Sequence, residues 1–183
     1  MDLIPKRMFF TKGAGCHRNR LQSFEIALRR AGIEKYNLVQ VSSIFPPDCR
    51  IVPKQRGLEA LSPGQICFLV LARESTNEPN RLVSAAIGLA RPEDRKQYGY
   101  ISEYHSFGQT MRAAADVAED LAATMLASTQ GIELNPDTAW DQRKQAYKEG
   151  KRRFVIRSIA QSDCGHKDGL WTTVIAAAVL LVG

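Results

Sequence analysis

Apolar and polar positions follow two different periods along this chain, and the two periods predict different elements. Residues 19–31 and 110–128 carry apolar side chains at helical spacing. The predicted buried face of the first helix consists of Leu21, Phe24, Ala27, Leu28 and Ala31. Gly32 suits the C-terminal cap of that helix, because glycine adopts the left-handed conformation readily. The predicted buried stripe of the second helix consists of Ala114, Ala118, Leu121 and Met125.

The remaining apolar runs are short, and several are rich in β-branched or aromatic residues, which favours strands. They cover residues 8–11, 36–41, 65–72, 82–90, 98–106, 154–160 and 170–182, and the first run is predicted to end in a turn at 13–15. A loop from Pro46-Pro47 to about residue 63, a turn at 135–137 and a polar helix or excursion at 139–148 complete the prediction. Because strands do not alternate strictly with helices, the pattern favours a layered α+β fold over a doubly wound parallel sheet.

Length and composition indicate one globular domain. The chain has 183 residues, of which 44% are hydrophobic and 24% charged, so it can bury a core without disulfides or a structural metal. A net charge of +6 raises the possibility of a nucleic-acid partner, but the charges are scattered. The densest cluster, residues 148–153, is interpreted as a helix end followed by a strand start. We therefore expect no nucleic-acid partner.

The cysteines and the apolar runs favour a cytoplasmic protein. None of the four cysteines stands in a CxxC pair, which is typical of free thiols in a reducing compartment. Cys164 and His166 alone are a weak metal signal, so no metal is expected. Residues 1–10 lack the apolar core of a signal peptide, and residues 170–182 are too few to cross a bilayer as a helix. No membrane association is therefore expected.

The Ser42-Ser43 pair lies at a sharp break in the pattern. A β-rich run ends at Val41, and Pro46-Pro47 prevents regular structure soon afterwards. Most serine pairs are ordinary loop residues. Strain at such a junction, however, can push a hydroxyl group toward the preceding carbonyl group.

The segment 37–47, NLVQVSSIFPP, resembles the self-cleavage segment of pyruvoyl-dependent arginine decarboxylases. The core S-S-I-x-P-P is the most specific part of this resemblance. Weaker matches follow the same order along nearly the whole chain: Ala27-Leu28, Ala31-Gly32-Ile33, Ile51-Val52-Pro53, Glu103-Tyr104 and Ala176-Ala177-Ala178.

The resemblance implies that Ser43 Oγ attacks the carbonyl group of Ser42, with Asn37 stabilising the oxyanion. The products would be a β chain of residues 1–42 and an α chain of residues 43–183 that begins with a pyruvoyl group. This covalent cofactor would form a Schiff base with the substrate amine and accept electrons as carbon dioxide leaves. Glu103 would then protonate the product. Burial against Tyr100 and Tyr104 would favour the neutral acid, whereas on an alternating strand Glu103 could equally face solvent.

Substrate recognition is implied at Ser42 and at an acidic residue of the first helix. The family has an aspartate there, and this chain has Glu25, which suits a guanidinium group but is one methylene longer. Either the pocket shifts or the substrate preference differs, and Glu25 could instead be an exposed helix charge. His105 shares a strand face with Glu103 and is a candidate supporting group, whereas His17 is interpreted as a surface residue at the helix start.

The resemblance also implies a four-layer αββα sandwich of mostly antiparallel sheets. It implies a homotrimer or a hexamer with active sites between protomers, acting on arginine to make agmatine. Two alternatives remain open from the sequence. One is a pyruvoyl-dependent decarboxylase of another amino acid, such as histidine. The other is an unprocessed, non-enzymatic binding protein.

Overall fold

A computed structural model describes residues 3–133, 135, 140–141, 146–149 and 152–182. Its helices are α1 (Arg20–Ala31), α2 (Lys54–Glu59) and α3 (Met111–Thr129). Its strands are β1 (Arg7–His17), β2 (Asn37–Gln40), β3 (Ile44–Phe45), β4 (Arg50–Ile51), β5 (Ile66–Thr76), β6 (Leu82–Pro92), β7 (Gly99–Phe107), β8 (Trp140–Asp141), β9 (Ala146–Glu149), β10 (Arg152–Cys164) and β11 (Trp171–Leu181). None of the described helices combines the length and apolar character that a bilayer span requires.

The strands form two sheets, and most neighbours are antiparallel. The first sheet has the order β2-β5-β11-β1-β4, and the second has the order β3-β7-β6-β10-β9-β8. Within the described strands, the pairs β1/β4 and β2/β5 are parallel. The predicted α+β class is confirmed.

Four apolar clusters of buried residues hold the layers together. One lies between α1 and the first sheet, one lies between the two sheets, and two lie between the second sheet and α3. Neighbouring residues of one strand enter different clusters, as Val174 and Ile175 do, because successive side chains point to opposite faces. Both faces of β11 are therefore buried, which explains its almost continuous apolar sequence. The resulting order of helix, sheet, sheet and helix is consistent with an αββα sandwich.

The predicted turn at residues 13–15 is wrong, since β1 continues through them to His17. Gly13 and Gly15 lie directly under α1. A Cβ atom on Gly13 would be 2.1 Å from the Ala27 carbonyl oxygen, and one on Gly15 would be 2.2 Å from that of Ser23. The two glycines therefore allow α1 to lie close to β1, and they do not form a turn.

The ends of both long helices agree with the prediction, but their buried faces differ. The Asn19 side chain caps α1, and Gly32 ends it with a φ of 76°. Leu21 and Leu121, however, are 74% and 42% exposed. Close packing selects small residues instead, and the buried residues of α3 are Ala114, Ala118, Ala122, Ala123, Leu126 and Ala127.

Three further predictions concern the connections. The predicted loop from Pro46-Pro47 to about residue 63 contains β4 and α2. Of the two alternatives for residues 139–148, the polar helix is wrong for residues 140–141 and 146–148, which lie in β8 and β9. The other residues of this segment lie outside the described part. Residues 148–149 end β9 and residues 152–153 begin β10, so the basic cluster follows a strand and not a helix. Of the predicted turn at 135–137, only Asn135 is described.

Candidate active site

The peptide bond between Ser42 and Ser43 lies where the chain crosses from one sheet to the other. On one side, the Val41 N–H donates to the Leu69 carbonyl oxygen of the first sheet (3.0 Å). On the other side, the Ile101 N–H donates to the Ser43 carbonyl oxygen of the second sheet's edge (2.7 Å). Because β2 and β3 are the outermost strands of their sheets, this crossing lies at an edge of the sandwich.

The residues after the crossing fix its position. Phe45 pairs with Gly99 and is buried between the sheets. Pro46-Pro47 then ends β3, and Asp48 turns the chain with a φ of 59° while its N–H donates to the Arg95 carbonyl oxygen (2.8 Å). Ser42 is exposed and Ser43 is half-buried. The serine pair is therefore a short accessible link between two anchored segments.

Glu103 lies on the strand that holds the Ser43 carbonyl group. It follows Ile101 by two residues on β7, so both side chains leave the same face of the strand, about 6.6 Å apart along it. Ile101 is buried between the sheets, whereas Glu103 is exposed. Because β3 pairs only with Gly99 and Tyr100, this edge of β7 has no strand partner beyond Ile101 among the described strands. The Glu103 side chain thus belongs to the inter-sheet face just beyond Ser43.

The expected burial of Glu103 against Tyr100 and Tyr104 is wrong. Both tyrosines lie on the opposite face of β7, where they pack against the clusters beneath α3. The alternation of the strand separates them from Glu103. His105 lies on the same face as Glu103 and is exposed, as its spacing predicts.

Asn37 begins β2, at the other end of the strand from the serine pair. Its Nδ2 donates to the Gly64 carbonyl oxygen (2.6 Å). Val41 follows Asn37 by four residues, which is about 13 Å of extended chain. Within one chain, the strand therefore does not bring the Asn37 amide to the Ser42 carbonyl group.

Glu25 lies on the partly exposed face of α1 and is paired with Arg29. Arg29 Nη2 donates to both carboxylate oxygens, at 2.8 and 2.9 Å. The hydrogen bond and the charge of Glu25 raise the pKa of Arg29. The Glu25 carboxylate thus already holds a guanidinium group in a forked arrangement, which is the geometry that a guanidinium substrate needs.

Two other candidates have local roles. His17 ends β1 rather than starting the helix, and its Nδ1 accepts the Asn19 N–H (3.0 Å). His166 Nδ1 accepts the Asp168 N–H (3.2 Å). Within the described residues, no group of three or more His, Cys, Asp or Glu side chains is arranged to hold a metal ion.

The sequence patterns missed the Ile101 N–H, which is the group bonded to Ser43 in this site. A backbone amide leaves no side-chain signal, and only the pairing of β3 with β7 identifies it. To predict this pairing from the sequence, one would have to know that a two-residue strand, Ile44–Phe45, forms the edge of the second sheet.

Comparisons with known proteins agree over almost the full chain. The family model of pyruvoyl-dependent arginine decarboxylase matches residues 7–182. A probable pyruvoyl-dependent arginine decarboxylase of Chloroherpeton thalassium is 56% identical over 99% of this chain and 100% of the relative. Pyruvoyl-dependent arginine decarboxylase 2 of Methanosarcina acetivorans is 55% identical over 98% of each chain. The pyruvoyl-dependent arginine decarboxylase of Nitrosopumilus maritimus is 50% identical over 100% of both chains.

Proposed function

Because this chain belongs to the pyruvoyl-dependent arginine decarboxylase family, we propose that it cuts its own backbone and then converts L-arginine to agmatine and carbon dioxide. The cut falls between Ser42 and Ser43. The observation that carries this proposal is the position of that peptide bond, an accessible link anchored to a different sheet on each side.

In the proposed cut, Ser43 Oγ attacks the Ser42 carbonyl carbon, and the Ser43 nitrogen leaves as it gains a proton. An ester now joins the two residues. Loss of the Ser43 α-proton then eliminates the Ser42 carboxylate and leaves an unsaturated residue at position 43. Its imine tautomer takes up water and releases ammonia, which leaves a pyruvoyl group at the start of the chain 43–183.

The hydrogen bonds around the crossing support retention of both new chain ends. Val41 stays bonded to the first sheet, and the Ser43 carbonyl group stays bonded to Ile101. The fragment 1–42 also contributes β1, whose eleven residues pair with β11 from Arg7↔Leu181 to His17↔Trp171. The cut therefore need not release the smaller chain.

The surroundings of position 43 fit a pyruvoyl group. The carbonyl oxygen that Ser43 now presents to the Ile101 N–H would become the amide oxygen of the pyruvoyl group. That group supplies a ketone for the substrate amine and a conjugated carbonyl for the electron pair released with carbon dioxide. A backbone N–H on this oxygen stabilises negative charge there, as an oxyanion hole does.

We assign the protonation step to Glu103. Its side chain leaves β7 on the same face as Ile101, about 6.6 Å further along the strand from the residue that holds position 43. This position supports a proton donor beside the reacting carbon. His105 is two residues further on the same face and would support Glu103 from there.

We assign recognition of the guanidinium group to Glu25 and assign Ser42 to substrate binding. The forked pair of Glu25 with Arg29 supports the first role, since it has the chemistry that arginine requires. The extra methylene relative to aspartate lengthens the reach of this carboxylate. Arginine must displace Arg29 from it.

Asn37 is proposed to stabilise the oxyanion of the self-cleavage step. Since about 13 Å of β2 separates it from Val41 in one protomer, this role requires the Asn37 amide of a neighbouring copy. We therefore propose a homotrimer or a hexamer with active sites between protomers. Among the strands that the structure describes, none pairs with the edge of β7 beyond Ile101, which supports a neighbouring copy there. The free thiols of all four cysteines support a cytoplasmic location.

Intact mass spectrometry of the purified protein, combined with an assay for carbon dioxide release from arginine, tests the proposal. We expect two chains, residues 1–42 and residues 43–183 with a pyruvoyl start. Ser43→Ala should stay in one piece and be inactive, whereas Ser62→Ala, the same change at an exposed serine away from the crossing, should be cut and active. A full-length chain that stays intact on incubation would contradict the proposal, as would a cut at another bond.

A further inference from the structure

The hydroxyl group of Ser102 ties β7 to α3 at the residue next to Glu103. Ser102 is 3% exposed, and its Oγ donates to the Ala118 carbonyl oxygen of α3 at 2.5 Å. Because side chains alternate along a strand, Ser102 leaves β7 toward α3, whereas Glu103 leaves it on the inter-sheet face. The hydrogen bond therefore holds β7 from the face opposite to Glu103, one residue away from it.

The helix approaches the sheet very closely at this point. Gly88 of β6 lies directly opposite Ser102 in the antiparallel pair. A Cβ atom on Gly88 would be 2.1 Å from the same Ala118 carbonyl oxygen. On either side of Ser102 along β7, Tyr100 and Tyr104 pack against the clusters beneath α3. Alanine at position 102 would also be small, so the hydroxyl group contributes a directed bond that packing alone does not supply.

The acceptor of this bond is itself fixed on the second sheet. The next residue of α3 is Glu119, whose Oε1 accepts a hydrogen bond from Ser158 Oγ of β10 at 2.5 Å. Ser102 and Ser158 lie on the two strands that flank β6 in the sheet. Consecutive residues of α3 are therefore bonded to strands on both sides of β6, and the Ala118 carbonyl group is a fixed point against which β7 is held.

The strand needs such a tie because one of its edges is open near Glu103. β3 pairs with only two residues of β7, and the Ile101 N–H, bonded to the Ser43 carbonyl oxygen, follows them. Beyond Ile101, β7 is paired on its other edge with β6, and no other described strand pairs with it. A strand paired on one edge can twist about that edge, which would carry Glu103 toward or away from position 43. The Ser102 bond opposes this twist.

We propose that Ser102 is a positioning residue for decarboxylation, which holds the Glu103 carboxyl group within reach of the carbon that must be protonated. This inference rests on the proposed role of Glu103 as the proton donor. Proton transfer requires the donor within hydrogen-bond reach of its target, and a misplacement of about 1 Å can slow a reaction about 100-fold. Loss of the hydroxyl group leaves the pairing with β6 intact, so we expect a smaller loss, of about tenfold.

Steady-state kinetics of carbon dioxide release, expressed per cut chain of the assembled protein, test the proposal. Ser102→Ala should be cut as the wild type is on a denaturing gel. Its kcat should fall about tenfold while its KM for arginine stays within about twofold, because the groups that bind the substrate are unchanged. Ser75→Ala is the matched control, since Ser75 is 9% exposed and its Oγ is bonded to Thr173 Oγ1 at 2.9 Å within the first sheet. That variant also loses a buried hydrogen bond but should keep the wild-type kcat.

Ser102→Cys provides a second variant of the same position. A thiol is a weaker donor than a hydroxyl group, so its kcat should lie between those of the wild type and Ser102→Ala. If Ser102→Ala does not fold, Ser102→Cys carries the comparison, and a wild-type kcat in it would then refute the proposal.

A double-mutant cycle with Glu103→Gln separates positioning from a general loosening of the fold. If Ser102 acts through Glu103, adding Ser102→Ala to Glu103→Gln should lower kcat by less than about twofold further, because a displaced glutamine has no proton to lose. A further tenfold loss would overturn the inference, as would an equal loss of kcat in Ser75→Ala. A fall of kcat in Glu103→Gln without a fall in Ser102→Ala overturns this inference alone. An unchanged kcat in Glu103→Gln overturns the proposed role of Glu103 and, with it, that of Ser102.

Discussion

The contact between β1 and α1 predicts that Gly13→Ala destabilises the protein strongly. The added Cβ atom would lie 2.1 Å from the Ala27 carbonyl oxygen and 2.9 Å from the Ala31 nitrogen. Ordinary contacts begin near 3.4 Å, so the helix must move outward by at least about 1 Å. Both obstacles are backbone atoms, so no side-chain rotation relieves them. We expect a cost of about 3 kcal/mol, the upper end for overpacking, which corresponds to a loss of roughly 6–12 °C in Tm.

Thermal unfolding by circular dichroism measures this loss. We expect a Ser43→Ala background to keep the chain in one piece, so that both variants are compared as a single chain. Gly131→Ala is the matched control, because its Cβ atom would meet nothing within 4 Å although its φ is 67°. Backbone strain there costs about 1 kcal/mol, or roughly 2–4 °C. A Gly13→Ala variant that loses no more than Gly131→Ala would refute the argument from close approach.

Three further predictions concern the site and the thiols. Glu103→Gln should still be cut on a denaturing gel, but its kcat for carbon dioxide release should fall at least about 100-fold, because it lacks the proton donor; an unchanged kcat would remove Glu103 from the mechanism. Arg29→Gln should lower the KM for arginine by about twofold with kcat unchanged, since an exposed helix pair contributes about 0.3–0.5 kcal/mol; a raised KM would show that Arg29 helps binding. Burial raises the pKa of Cys49 and Cys67 to about 11, so their contribution to stability is complete below the unfolded pKa near 9 and is lost as pH rises from 9 through 11. At pH 8, a thiol reagent should therefore label Cys164 quickly and these two only after denaturation; rapid labelling of either in the native protein would contradict their burial.

The sequence predicted the element types best where local chemistry decides the structure. The Asn19 cap and Gly32 bound α1 as their side-chain chemistry requires. The turn predicted from Gly13 and Gly15 was wrong, because these glycines allow β1 to contact α1, which follows them in the sequence. The predicted burial of Leu121 was wrong for a similar reason. The buried face of α3 depends on how closely the helix approaches the sheet, and alanines permit the closest approach.

The site was predictable only as a set of residues. The serine pair and Glu103 followed from the resemblance, but their relation depends on which strand forms each sheet edge. Pairing between Ile44 and Tyr100 spans more than fifty residues of chain, and no local pattern specifies it. The separation of Glu103 from Tyr100 and Tyr104 follows from strand alternation. The same alternation favours the solvent-facing alternative that the sequence left open for Glu103.

The proposed cut at the crossing between the sheets would make maturation a one-way event. In the intact chain, β1 pairs with β11, the central strand of the first sheet, within the same polypeptide. Once the proposed cut is made, that strand belongs to a separate, 42-residue peptide. Refolding after denaturation would then be a reaction between two molecules, whose rate falls with dilution. A cell that lost the fold of this protein would then have to synthesise the chain again, because the proposed cut would have consumed Ser43.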